Sequence, residues 1–418
     1  MNILLKSAKI VHAPAKDIHL KKRDILIKNG VIVKIAASIE PPAKTKVFEY
    51  ENLHVSVGWL DTGVCFGEPG YEERETISNG LATAAKSGFT DIILNPNTNP
   101  LPDNSGQIIF FKNASEGHLT NLHPLGNLTV SSKGENLAEL YDMKNAGAVG
   151  FYDYKHSLAN SNLLKIALQY AQNFDGLVHS FPMDNKIAGK GIVNEGEIST
   201  RMGLKGIPSL AEELQISRDL FILEYTGGKL HIPTISSAGS VKLISNAKKK
   251  GLDVTCSVAL HNLYFDDNAL KEFDANFKML PPLRTKADVK ALIKGVENGT
   301  IDFVSADHTP LNVELKHVEF DNAEYGTIGL ESAFGIMNQL FGLEKAIELL
   351  SKGRERYGIK IPVLKEGEQA NLTLFAPETS YVMKNEHISS SSKNSVFLGE
   401  KLKGKVLGTI GNNQILFC

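Results

Sequence analysis

The chain has 418 residues, a formal charge of −2 and 22% charged side chains, a balance that offers no electrostatic partner to nucleic acid or to an acidic membrane surface. Its length exceeds what one small core serves and suits a large barrel with a smaller companion domain. The 3 cysteines, Cys65, Cys256 and Cys418, show no C-x-x-C spacing, which argues against a disulfide frame and a zinc ribbon and for a reducing, cytoplasmic setting. The N-terminus carries no continuous apolar run, and no stretch approaches the roughly 18 to 20 apolar residues of a membrane span, so neither export nor insertion is expected.

In chain order, the first 50 or so residues give short strand-like pieces. Asn29-Gly30 marks a hairpin inside Asp24 to Ile35, because both residues tolerate the positive φ such turns need. From His54 onward, short apolar runs alternate with helix-period segments, as in repeated βα units. The runs are Val55 to Val64, Asp91 to Asn95, Gly126 to Val130, Ala148 to Tyr152, Gly176 to Ser180, Lys229 to Ile235, Asp253 to Val258 and Ile301 to Ser305. Helices are expected over Glu72 to Ser87, closed by Gly88, and over Ser209 to Tyr225, closed by Gly227-Gly228, with glycine where a helix C-terminus favours it. Eight units favour a TIM-like barrel over an open doubly wound sheet, although periodicity alone leaves both open. After about residue 360 strand patterns return at Ala370 to Phe375, Ser395 to Leu398 and Lys405 to Thr409, with Gly411-Asn412-Asn413 as a turn and Ser389 to Ser392 as an exposed loop.

Several motifs carry a resemblance. They include G-W-L-D ending at Asp61, E-P-G at Glu68 to Gly70, N-P-N-T-N-P at Asn95 to Pro100 and G-A-V-G-F at Gly147 to Phe151. Further along come N-E-G-E at Asn194 to Glu197, P-P-L-R at Pro281 to Arg284, A-D-H-T-P at Ala306 to Pro310, I-G-L-E at Ile328 to Glu331 and F-L-G-E-K-L-K-G-K-V at Phe397 to Val406. Together they resemble the dihydroorotases of the amidohydrolase superfamily, in particular the type that pairs with aspartate carbamoyltransferase. The resemblance implies an α/β fold, a distorted TIM (β/α)8 barrel over 54–355, with a β-sandwich built from both chain ends, 1–53 and 356–418.

Such enzymes open or close a cyclic amide with zinc-activated hydroxide, which needs nitrogen and oxygen ligands converging at the barrel mouth and an aspartate to move the proton. The resemblance places D-x-H-x-H-x-R-E-P-G on Asp61 to Gly70, so that Gly63 and Cys65 replace the two histidines and Gly67 replaces the arginine that would clamp the substrate carboxylate. The bridging aspartate of F-x-D-D-G falls on Tyr154 in F-Y-D-Y-K, or on Asp153 if the alignment slips by one residue. His179 is retained in L-V-H-S. Thr234 stands where H-I-x-H-x-S has its second histidine, leaving His231, which is not a ligand. Asp307 keeps the last ligand and proton-shuttle position. Among substrate positions Asn97 is retained, whereas Leu280 and Leu311 replace an asparagine and a histidine.

Each residue also has a plain structural reading. Cys65 reads as a small buried apolar side chain, His179 as a hydrogen-bonded interior histidine, Asp307 as a turn cap and Asp153 as a partner of loop backbone. Lys155, His156, His261 and His308 show no spacing that would assemble another site. The leading expectation is a non-catalytic, metal-free dihydroorotase-like protein of pyrimidine biosynthesis, a structural or regulatory partner of aspartate carbamoyltransferase or of a second copy of itself. The alternative is an active metal-dependent cyclic amidohydrolase with one zinc held by Cys65, His179 and Asp307. A third reading is a small-molecule sensor that uses the emptied barrel mouth.

Overall fold

The computed structural model describes residues 2–418, the side chain of Lys271 excepted. The N-terminal part contributes β1 (Asn2–Ile10), β2 (Lys22–Lys28), β3 (Val31–Ala36), β4 (Lys46–Phe48) and β5 (His54–Val57). The middle of the chain then alternates: β6 (Trp59–Val64), α1 (Ile77–Lys86), β7 (Phe89–Leu94), α2 (Ser105–Ala114), β8 (Asn121–Pro124), α3 (Leu140–Ala146), α4 (Ser161–Ala171), β9 (Leu177–His179). Short elements follow, α5 (Asn185–Ala188), β10 (Val193–Asn194), α6 (Glu197–Met202) and β11 (Gly206–Ile207), before the longer α7 (Ser209–Thr226). Alternation resumes with β12 (Lys229–Ile232), α8 (Ala238–Lys249), β13 (Val254–Ala259), α9 (Leu260–Tyr264), α10 (Lys286–Glu297), β14 (Phe303–Ser305), α11 (Val313–Lys316), α12 (Leu330–Phe341) and α13 (Leu343–Ser351). The chain ends in β15 (Leu372–Val382), β16 (Lys401–Gly411) and β17 (Gln414–Phe417).

Parallel strands close into a barrel. β6, β7 and β8 form one arc and β9, β12, β13 and β14 another. Parallel bridges from Gly126 to Phe151 and from Phe151 to Val178 join them on one side, and Val64 to His308 joins them on the other. The fourth stave is thus reduced to the pairing of Phe151, and the ring is a distorted (β/α)8 barrel. Both chain ends meet in a single sheet of order β17-β16-β15-β5-β1-β2-β3, with β4 paired to β1. Its inner face buries Ile3, Leu5, Ile25, Ile27, Val55, Leu374 and Ile410.

The run Val55 to Val64 is two strands in two sheets. Gly58 separates them, and a Cβ there would lie 2.1 Å from Asn371 Oδ1, so only glycine lets the chain cross from sheet to barrel. The strand expected at Gly126 to Val130 lies earlier, at Asn121–Pro124, because the amides of Leu128 and Thr129 donate to the Asp153 carboxylate and not to a neighbouring strand. The helix expected from Glu72 starts at Ile77, where the Thr76 hydroxyl accepts from Asn79 N. Ser395 to Leu398 is no strand: Val396 N and Phe397 N donate to the hydroxyls of Thr327 and Ser395. Nor is Ser389 to Ser392 an exposed loop, since Ser390 is fully buried against Glu75. The Asn29-Gly30 turn does join β2 to β3, with φ of 49° and 79°.

Candidate functional site

The C-terminal ends of the barrel strands converge on a small space lined by residues that include Gly63, Asn95, Tyr154, Lys155, His179, Thr234 and Asp307. This is the end at which barrels of this kind build their sites. The cavity left among these side chains is about 20 Å³, room for one water molecule.

At the end of β6, Asp61 holds the strand to β14. Its carboxylate accepts from Gly63 N at 2.9 Å, Ser305 Oγ at 2.9 Å and Ala306 N at 2.7 Å, and burial lifts its carboxyl to about 6. A Cβ on Gly63 would stand 3.1 Å from Ser305 Oγ and 3.5 Å from Asn95 Nδ2, so a side chain there would need Ser305 to give by a few tenths of an ångström. Cys65 is buried, its sulfur 3.7 Å from Asn95 Nδ2, and burial pushes its thiol up to about 11.

The Gly67 position has closed more completely. A Cβ there would fall 1.7 Å from the Tyr71 carbonyl oxygen, and Tyr71 N donates back to Gly67 O at 2.8 Å. The local backbone therefore admits no side chain where the carboxylate clamp is expected. Asn97, in the orientation that satisfies its amide, donates to the carbonyls of Phe66 and Asn95 at 3.2 Å each. Leu311 is buried, and Leu280 packs against the cluster that contains Phe181 and Met183.

The two candidates for the bridging position part company. Asp153 turns away from the mouth, accepting from Leu128 N at 3.0 Å, Thr129 N at 2.9 Å and Thr129 Oγ1 at 2.5 Å. Tyr154 lines the mouth, its hydroxyl 3.3 Å from Thr309 Oγ1. Burial raises that phenol well above its ordinary value.

Lys155 follows, at φ 54°, and its Nζ lies 3.1 Å from Asp307 Oδ2. Burial raises the Asp307 carboxyl, while the ammonium beside it pulls it back down. Of the four residues without a site-forming spacing, only Lys155 reaches the mouth. His156 sits outside, with Nδ1 2.9 Å from Tyr154 O. His261 is buried with both ring nitrogens unpartnered, and His308 Nδ1 faces the amides of Gly329 and Leu330. The pairing with Asp307 was not read from the sequence. Its signal is there in F-Y-D-Y-K, which puts a cation at the glycine of F-x-D-D-G.

His179 is enclosed by Tyr152, His231 and Tyr357, at ring distances of 5.5, 4.8 and 5.7 Å. Burial drives it down to about 3, and its Nε2 has no partner. Thr234, at φ 48°, likewise leaves Oγ1 unpartnered. His231 is spent on Thr255 Oγ1 at 3.0 Å and Ser257 Oγ at 3.2 Å. Among the described residues no three His, Cys, Asp or Glu side chains converge where a metal ion would fit. Cys65, His179 and Asp307 therefore do not form one donor set. With no three donors converging and the Lys155 side chain set against Asp307, the mouth does not suit the zinc chemistry expected of the resembled family.

Three comparisons bear on this geometry. A family profile described as Dihydro-orotase-like matches residues 54–240. The dihydroorotase of Geobacter metallireducens is 35% identical over all of both chains, and that of Pelotomaculum thermopropionicum is 37% identical over 100% of this chain and 98% of its own. Among solved structures, the L-hydantoinase (dihydropyrimidinase) of Arthrobacter aurescens superposes with a TM-score of 0.86 at 21% identity, over 99% of this chain and 95% of that one. The dihydropyrimidinase of Brevibacillus agri superposes at 0.82 and 19% identity, over 100% and 95%.

Proposed function

Because this chain belongs to the dihydroorotase family, we propose that it serves pyrimidine biosynthesis as a non-catalytic member, a structural or regulatory partner of aspartate carbamoyltransferase. The observation that carries this reading is the Lys155 ammonium 3.1 Å from Asp307 Oδ2. A side-chain cation sits against the carboxylate that a metal ion and a proton shuttle would both need. The remaining space of about 20 Å³ is far below the roughly 300 Å³ at which small-molecule pockets begin, which weighs against the sensor reading as well. Loss of the clamp at Gly67 points the same way. Its place is taken by backbone, so position 67 supplies none of the bidentate donors a carboxylate calls for.

The outer loops remain built. Glu68 Oε2 accepts from Ile77 N at 2.8 Å, and Asn99 N donates to Pro69 O at 2.9 Å. A barrel that keeps these loops without a working centre retains shape for contact with other proteins. The test joins elemental analysis, turnover and mixing. The purified protein is expected to carry much less than one zinc per chain, to leave dihydroorotate unchanged, and to co-elute with the aspartate carbamoyltransferase of the same organism. A pair of metals per chain, or dihydroorotate turnover abolished by Asp307→Ala, would overturn the non-catalytic reading. Separate elution with unchanged carbamoyltransferase activity would overturn the partnership.

A further inference from the structure

Four buried polar atoms without a hydrogen-bond partner belong to one cavity. Thr62 Oγ1, His179 Nε2, Thr234 Oγ1 and Tyr357 Oη make no hydrogen bond among the described residues. Their residues are 8%, 2%, 7% and 3% exposed, and all four line the space of about 20 Å³ at the barrel mouth. They come from separate segments: β6, the end of β9, the loop after β12 and the stretch after α13. From that last stretch Tyr357 reaches into the barrel, its ring 5.7 Å from that of His179 and 6.3 Å from that of His231. A buried hydroxyl or imidazole nitrogen without a partner costs stability, and several around one space point to a ligand that satisfies them.

The ion pair on the same wall is short of partners too. Lys155 Nζ donates one hydrogen bond, to Asp307 Oδ2, although an ammonium has three protons to give. The Asp307 side chain accepts only that one among the described residues. Size and chemistry together select the ligand. The space admits one water and is far too small for an organic molecule. Around it stand hydroxyls that donate and accept, an ammonium that only donates and a carboxylate that only accepts. A water, with two protons and two lone pairs, serves both kinds. A small anion would be set against Asp307, and a cation against Lys155.

We propose that one ordered water is a structural ligand of the barrel interior, bound among Thr62, His179, Thr234 and Tyr357 beside the Lys155–Asp307 pair. It ties β6, β9, the loop after β12 and the stretch after α13 into one hydrogen-bonded hub. The inference rests on the reading of the mouth as free of metal. Opposite signs separate a wet centre from a dry one. With water bound, Thr234→Val and Tyr357→Phe each remove one of its partners and are expected to lower the melting temperature by roughly 1 to 3 °C. In a dry space each would remove an unpartnered polar atom and raise it. A crystal structure of the native protein, with diffraction also recorded at the zinc edge, is expected to show one peak within hydrogen-bonding distance of at least two of the four atoms and no anomalous signal there. If either variant melts at or above the native temperature, or if the density is empty, the proposal is overturned and the non-catalytic reading stands. An anomalous zinc peak would overturn both.

Discussion

Lys155 supplies a side-chain cation at the barrel mouth, paired with Asp307 at 3.1 Å. Its side chain and that of Asp307 are 11% and 5% exposed, so each charge depends on the other for compensation. Lys155→Met is expected to cost about 3 kcal/mol of unfolding free energy by stranding the Asp307 carboxylate, and adding Asp307→Asn is expected to recover most of it. Urea midpoints of the two single variants and the double variant measure the coupling. If the double variant loses as much as the sum of the singles, the pair is not what stabilises the mouth. The sequence made the vacated positions legible, since Gly63, Cys65, Gly67 and Thr234 stand inside motif frames that survive around them. It did not show the pairing, because Lys155 and Asp307 lie 152 positions apart and meet only across the barrel. Nor did it show that Tyr71 O fills the space beside Gly67. A missing arginine can be read from a motif, whereas a backbone that has closed behind it cannot. The positive φ of Lys155, Thr234 and Asp307 is strain of a kind that persists at functional centres.

At the scale of elements, the segment Ser389 to Ser392 behaves as a strap. Ser390 Oγ donates to Glu75 Oε2 at 2.5 Å and Ser391 donates to the same carboxylate through N at 3.0 Å and Oγ at 2.9 Å. The amides of Ser389 and Ser390 donate to Glu331 Oε1 at 3.2 and 3.1 Å. Two buried carboxylates, one ahead of α1 and one in the first turn of α12, are thus held by one four-residue piece of the C-terminal part. Removing a donor from a buried carboxylate costs about 1 to 3 kcal/mol, so Ser390→Ala is expected to lower the melting temperature clearly. Ser389→Ala, whose backbone donates and whose hydroxyl makes no bond, should change it little. Equal melting temperatures for the two variants would remove the strap from the account. Composition alone made this patch look like a solvated loop, because four serines carry no apolar signal. What buries them is the demand of distant carboxylates for donors. The misplaced third stave has the same cause: Leu125, Leu128 and Val130 look like a strand, but Asp153 takes the amides that would have paired there.

For the whole molecule, the question is whether the barrel and the sheet of both chain ends unfold as one. Their junction is the passage from β5 through Gly58 to β6, and the buried Arg354 guanidinium clamps it, donating to Gly58 O and to Asp91 Oδ2 at 2.8 Å each. Trp59, the only tryptophan in the chain, lies fully buried there against Phe89 of β7, Phe334 of α12 and Phe375 of β15. Eight alternations between two strand-rich ends were legible in the sequence as a barrel flanked by β structure. The junction was not, because Arg354 lies in a polar stretch after α13 whose pattern gives no sign of burial. With barrel and sheet sharing one aromatic cluster, the Trp59 emission and far-ultraviolet circular dichroism are expected to follow coincident denaturation curves. Arg354→Met is expected to shift both by about 3 kcal/mol at neutral pH, since it removes one partner of a buried pair. The deficit should depend on pH in a defined direction. Burial by itself would raise the Asp91 carboxyl, but His123 and Arg354 hold it down at about 2. A carboxylate depressed in the folded state contributes stability that is present above its unfolded value, near 3.8, and is lost as pH falls through the folded one. The native protein therefore loses the Arg354 contribution between pH 4 and 2, and the gap between native and Arg354→Met should narrow over that window while staying constant from pH 5 to 8. A gap that is flat down to pH 2, or a Trp59 transition that separates from the circular dichroism, would mean that barrel and sheet are not joined through this clamp.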